Sequence, residues 1–184
     1  MAKVNFSDLE NNELLLVVSP SNMVEEVNLE IMRYFINKKD AYCVYVTIAK
    51  PYKTILNILK KNRISSNKIF FIDCISGLIT GEDMQRAGNC ILCQPQSLTN
   101  ISIALTSALK SIPTDQEKVL ILDTISTLML YNEVLVIGRF MHALTGKIRK
   151  LGVKSVIFTL EEETDKKILS QMSHFCDKCI TLKD

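Results

Sequence analysis

The sequence has no tryptophan, and aromatic residues make up 7% of its 184 positions. The broadest stacking surface for a nucleobase is therefore missing, although tyrosines remain. No lysine or arginine block exceeds two in a row, and 22 basic residues against 20 acidic ones leave a formal net charge of +2. A dedicated nucleic-acid binder concentrates basic charge in a stripe, so this balance argues against a nucleic-acid partner. Long apolar runs are also lacking. Leu14–Val18 and Val119–Leu122 fall far short of the roughly 20 residues that span a bilayer, and no membrane insertion is expected. Met1–Phe6 lacks the positive start, apolar stretch and small-residue cleavage site of a secretory leader, which points to the cytoplasm. No linker or low-complexity tract divides the chain. Residues 1–184 are read as a single domain, long enough to bury roughly 70% of its unfolded surface without a staple.

What the sequence does contain is an alternation of short apolar runs and amphipathic segments. Strands are expected at Leu14–Val18, Cys43–Ile48, Ile69–Ile72, Cys90–Cys93, Val119–Leu122, Ser155–Leu160 and Cys179–Leu182. Between them lie helical patterns, the clearest at Ile101, Ala104, Leu105, Ala108, Leu109 and Ile112, which keep the three-four spacing of a buried stripe. Gly77 to Gly88 reads as a loop. Strands that are apolar throughout, joined through helices, indicate an α/β fold: a mostly parallel sheet with helices on both faces. Any ligand then belongs at the carboxyl ends of the strands.

Three such junctions are informative. The first, Ser19-Pro20-Ser21-Asn22-Met23-Val24, has neither the glycines that let amides turn towards phosphates nor a lysine to reach them. Asn22 and Glu25 are spaced as a capping box, and Glu25 and Glu26 would repel a polyphosphate at that helix start. The second junction carries Ala49 and Lys50. The third is an apolar strand ending in Asp123-Thr124-Ile125-Ser126, the place of a magnesium-supporting carboxylate in many nucleotide hydrolases. Asp73-Cys74-Ile75-Ser76 repeats the phrase, and a strand-ending Asp before Ser or Thr equally serves as a turn-former or helix cap.

Together, Cys43–Thr47, Ile69–Asp73, Val119–Leu128, Arg139–His142 and Cys176–Leu182 resemble the KaiC-like branch of the RecA-type ATPases, particularly small archaeal single-domain members, over nearly the whole chain. The resemblance implies a RecA-like P-loop NTPase fold. Its departures matter as much. Active relatives carry a glycine-rich, lysine-containing loop where this chain has Ser19–Val24, and usually acidic residues where it has Ala49 and Lys50. Only the Asp123 phrase survives. A degenerate domain without ATP turnover is expected, working in signalling or regulation through a protein partner: an active KaiC-like ATPase, or itself as a homo-oligomer. The alternative is a nucleotide-responsive switch that binds ATP weakly without turnover.

Other chemistry has less support. Cys90-x-x-Cys93 and Cys176-x-x-Cys179 could suggest a zinc or redox site, but residues three apart in a strand point to opposite faces. Structural cysteines are the favoured reading, with no metal and no cofactor. His142 shares a helix face with Arg139, Gly146 and Arg149, consistent with a solvated or interface side chain. His174 lies near a helix end, where an imidazolium can meet the dipole. Glu161, Glu162 and Glu163 suit a helix start. With Glu25, Glu26, Lys50 and Lys53 they also form a candidate mixed-charge edge that could orient a partner.

Overall fold

The computed structural model describes residues 4–11 and 13–183. Met1, Ala2 and Lys3, part of the stretch read for a leader, lie outside them. The elements follow in chain order as α1 (Phe6–Asn11), β1 (Leu14–Ser19), α2 (Val24–Met32) with a π-helical continuation over Arg33–Lys38, β2 (Tyr42–Thr47) and α3 (Tyr52–Lys61). Next come β3 (Ile69–Asp73), α4 (Cys74–Thr80), β4 (Gln85–Ala87), β5 (Cys90–Leu92) and α5 (Leu98–Ser111). The chain continues through β6 (Lys118–Asp123), α6 (Ile125–Leu128), α7 (Val134–Leu151), β7 (Lys154–Leu160), α8 (Lys166–Phe175) and β8 (Lys178–Thr181).

The eight strands form one sheet in the order β4-β5-β3-β2-β6-β7-β1-β8. Every pairing is parallel except that of β4 with β5. Consecutive strands β1 and β2 are therefore separated by β6 and β7, so that α2 must cross them.

Period-two alternation splits the core by face. Leu14, Leu16 and Val18 of β1 pack with α5, α7 and α8, whereas Leu15 and Val17 pack with α1, α2 and α3. All six residues of β1 are buried, which is why the strand has no polar alternation. Cys90 belongs to one face and Cys93 to the other, as the strand geometry predicts.

Two local expectations need correction. The Gly77–Gly88 segment is not a loop throughout, because it contains most of α4 and all of β4. Gly77 is used inside a helix because a Cβ there would sit 2.4 Å from the Cys93 carbonyl oxygen, a distance no side chain tolerates. Secondly, α2 starts one residue later than a capping box requires. Met23 occupies the cap position and no side chain caps it, and Glu25 turns to Lys50 instead. Helices α1 and α6, 6 and 4 residues long, are too short to leave a periodic pattern in the sequence.

Candidate functional site

The carboxyl ends of β2, β6 and β7, together with α2 and α3, enclose a cleft of about 100 Å³. Its walls are mostly apolar, including Leu29, Met32, Ile55, Leu59 and Leu160. Its floor is polar. Asp123, Tyr45 and Asn28 form a closed triangle: the Tyr45 hydroxyl donates to Asp123 Oδ2 at 2.6 Å, and Asn28 Nδ2 donates to Asp123 Oδ2 at 3.1 Å and to Tyr45 Oη at 2.7 Å.

Register explains the meeting. Thr47 pairs with Asp123 and Tyr45 with Ile121, so Tyr45 and Asp123 emerge on the same sheet face, the one that α2 covers with Asn28. Burial raises the Asp123 pKa, against the downward pull of the Tyr45 bond, the Lys50 charge and the Asn28 bond. Burial, and then the Asp123 charge beside it, holds the Tyr45 phenol well above its usual value. Asn28 is 4% exposed, and its Oδ1 has no hydrogen-bond partner among the described residues.

At the cleft Lys50 pairs with Glu25, and the Thr47 hydroxyl donates to the Lys50 carbonyl. The Asp123–Thr124 peptide is cis. Thr124 Oγ1 lies 2.8 Å from Thr127 Oγ1 and 3.1 Å from Ser126 Oγ. In the opening junction the Ser19 hydroxyl donates to the Pro20 carbonyl at 3.0 Å, and Met23 N–H donates to the same oxygen at 3.1 Å. That loop closes on itself in a tight turn. Among the sequence candidates, Val24, Ala49, Lys50 and Asp123 line the cleft, joined by Glu25 from the charged set. Ser19, Pro20, Ser21, Asn22 and Met23 do not line it. Glu26, Lys53, Glu161, Glu162 and Glu163 are exposed, and Glu161 N–H donates to the Ser19 carbonyl at 3.1 Å, which ties the end of β7 to that of β1.

Asp73 has a different employment. Its Oδ1 accepts from Ile75 N–H and Ser76 N–H at 2.9 and 2.8 Å, and its Oδ2 accepts from Tyr52 N–H and the Ser76 hydroxyl at 2.9 and 2.6 Å. It caps α4 and holds the start of α3, the helix-cap role open to it from sequence.

All six cysteines are free thiols. Burial pushes Cys90, Cys93 and Cys176 up to about 12. Among the described residues no group of three or more His, Cys, Asp or Glu side chains is placed to hold a metal ion. No helix among them is long and apolar enough to cross a membrane. His142 is exposed and lies against Phe175, with ring centroids 5.0 Å apart, while Arg149 Nη2 donates to the Phe175 carbonyl at 3.0 Å and to Asp177 Oδ1 at 2.6 Å. These contacts fasten α8 and the start of β8 to α7.

Sequence reasoning missed Asn28 and Tyr45. Asn28 follows Val24 by four residues and precedes Ile31 by three, so an amide sits on the apolar stripe. That misplacement was the available signal.

Comparison with solved structures places the fold. The KaiC-like protein PH0186 from the hyperthermophilic archaeon Pyrococcus horikoshii OT3 superposes with a TM-score of 0.66 at 11% identity, covering 92% of this chain and 71% of that one. The uncharacterized protein PH0321 from Pyrococcus horikoshii, solved in complex with an unknown peptide, gives 0.67 at 12% identity, covering 92% and 77%. The architecture is thus that of KaiC-like, RecA-type proteins. Among curated proteins none matches the sequence. The profile of the family of unknown function DUF7504 matches residues 14–182, nearly the full length, and the chain belongs to that family.

Proposed function

We propose that this RecA-like domain neither hydrolyses ATP nor binds Mg-ATP tightly, and that it acts as a protein-interaction or regulatory module. The observation that carries the reading is the junction after β1. A phosphate cradle needs open backbone amides and a cation. Here Ser19–Val24 contains no glycine and no lysine, and the nearby Lys50 is engaged by Glu25. The neighbouring cleft, at about 100 Å³, is small against the roughly 300–1,000 Å³ of ordinary ligand pockets. Its floor offers acceptors, which phosphates also are, so the residues do not fit the phosphates of a nucleotide.

Two further observations support the interaction reading. The strand-end surface carries exposed charges of both signs, Glu26, Lys53 and Glu161–Glu163, which can steer and orient a partner without adding much affinity. PH0321, of the same fold, was solved with a peptide bound. The partner would be a KaiC-like ATPase or a second copy of the chain. The competing reading, a switch that binds nucleotide weakly, is favoured by one observation alone: Asp123 still stands at the end of β6 beside the cleft.

The test is a partner pull-down from native extract, with light scattering of the purified chain. Recovery of a specific partner, weakened by Lys50→Glu/Lys53→Glu at an unchanged thermal midpoint, is expected. Recovery that ignores those changes but is lost in Arg139→Ala/His142→Ala would move the interface to α7.

A further inference from the structure

We propose that the cleft beneath the Glu25–Lys50 pair is a binding site for an alkylammonium group, a primary ammonium carried on a short aliphatic stem. The inference goes beyond the interaction reading and does not depend on it.

It starts from a count of donors and acceptors on the cleft floor. Every hydrogen that Asn28 and Tyr45 can offer there has an acceptor: Nδ2 serves Tyr45 and Asp123, and the phenol serves Asp123. Acceptors remain unspent. Asn28 Oδ1 is buried without a partner among the described residues. Both bonds to Asp123 fall on Oδ2, so its Oδ1 keeps its accepting capacity. A buried polar atom left without a hydrogen bond is costly, so the native site favours an occupant that donates.

A floor of this kind refuses phosphates and carboxylates, which bring only lone pairs. It suits a group with several N–H bonds, and a carboxylate within the set selects for positive charge. Burial raises the Asp123 pKa, and an incoming cation would replace the stabilisation that burial removes. Lys50 does not compete for the place, because its ammonium is held by Glu25.

The walls specify the rest of the ligand. Leu29, Met32, Ile55, Ile58, Leu59 and Leu160 present hydrocarbon, which a short aliphatic stem can cover as lysine stems do on protein surfaces. The volume of about 100 Å³ equals the share of roughly three waters at about 30 Å³ each. That is room for an ammonium and a few methylenes, with the remainder of the stem in the mouth.

n-Butylammonium chloride is the probe, titrated into the purified chain with the Asn28 side-chain amide followed by NMR. Saturable movement of that resonance is expected, with n-butanol, which has the same stem and no charge, at least tenfold weaker. Asp123→Asn should weaken n-butylammonium at least tenfold, and its amide spectrum will report whether the fold is retained. Should that variant fail to fold, the comparison of butylammonium with butanol on the parent chain decides alone. Equal binding of the two probes, no saturable shift, or a crystal soaked in the amine that holds only water at Asn28 Oδ1 would overturn the proposal. Nα-acetyl-lysine methylamide distinguishes the source. Binding comparable to butylammonium means that the group can arrive on a polypeptide, and weaker binding means that it arrives as a free amine; both outcomes presuppose the site.

Discussion

Asp73 and Asp123 end parallel strands two places apart in one sheet and are each followed by a short helix, yet they do different work. Asp73 gives both oxygens to local donors, three of them backbone N–H groups. Its bonds close the entrance of α4 and fix that of α3. Asp123 caps nothing: α6 begins at Ile125 without a side-chain cap bond. Its carboxylate is held by side chains reaching in from β2 and α2, beside an open cleft. The difference teaches that a strand-ending carboxylate becomes structural when nearby amides can turn to it, and becomes available for chemistry when only side chains can.

The comparison can be broken most sharply at Asp73. Replacing it by alanine strips a cap and leaves buried donors unpaired, so a loss of about 3 kcal/mol is expected, read by urea denaturation. A loss under about 1 kcal/mol would mean that water replaces the carboxylate and that Asp73 is no more structural than Asp123. Tyr45→Phe should cost less, about 1–2 kcal/mol, since one hydroxyl is removed and Asn28 keeps Asp123 as a partner.

A third difference lies in pH. In the folded chain the Asp123 carboxyl holds its proton above the usual 3.8, more tightly than in the unfolded chain. Its contribution to stability is therefore most favourable at low pH and declines as pH rises from about 3.8 through the folded-state value, beyond which it is constant. Asp123→Asn removes that decline. Stability of the variant relative to the parent should rise with pH across that window in parallel denaturation series, and a fall would contradict the assignment of burial as the dominant cause.

The smallest effect belongs to the cleft mouth. The Lys50 and Glu25 side chains are 45% and 52% exposed, so Lys50→Glu with Lys53→Glu should change stability by no more than about 0.5 kcal/mol, read by thermal unfolding. A large loss would show the pair to be a structural clamp rather than a solvated part of the surface.

Much of the fold was legible because burial on both faces wrote it into the strands. Leu14–Val18 and Val119–Leu122 are apolar without interruption, and α5 keeps its stripe without a miss. The β4–α4 region was not legible because Gly77 looks like punctuation, whereas its reason is the close backbone of Cys93, a contact made across the fold. Of the site, Asp123 and Lys50 could be named from their places after strands. Tyr45 could not, since its meeting with Asp123 depends on the register of β2 with β6, and Asn28 showed only as an amide on the apolar stripe of α2. Glu25 pairs with Lys50, 25 residues away, a partner that local spacing does not reveal.

The proposal that this domain neither hydrolyses ATP nor binds Mg-ATP tightly is tested most directly by calorimetric titration of the purified chain with Mg-ATP. No saturable binding in the micromolar range is expected, and no phosphate release on prolonged incubation. Micromolar affinity that is abolished by Asp123→Ala would contradict the claim and identify the domain as a nucleotide switch.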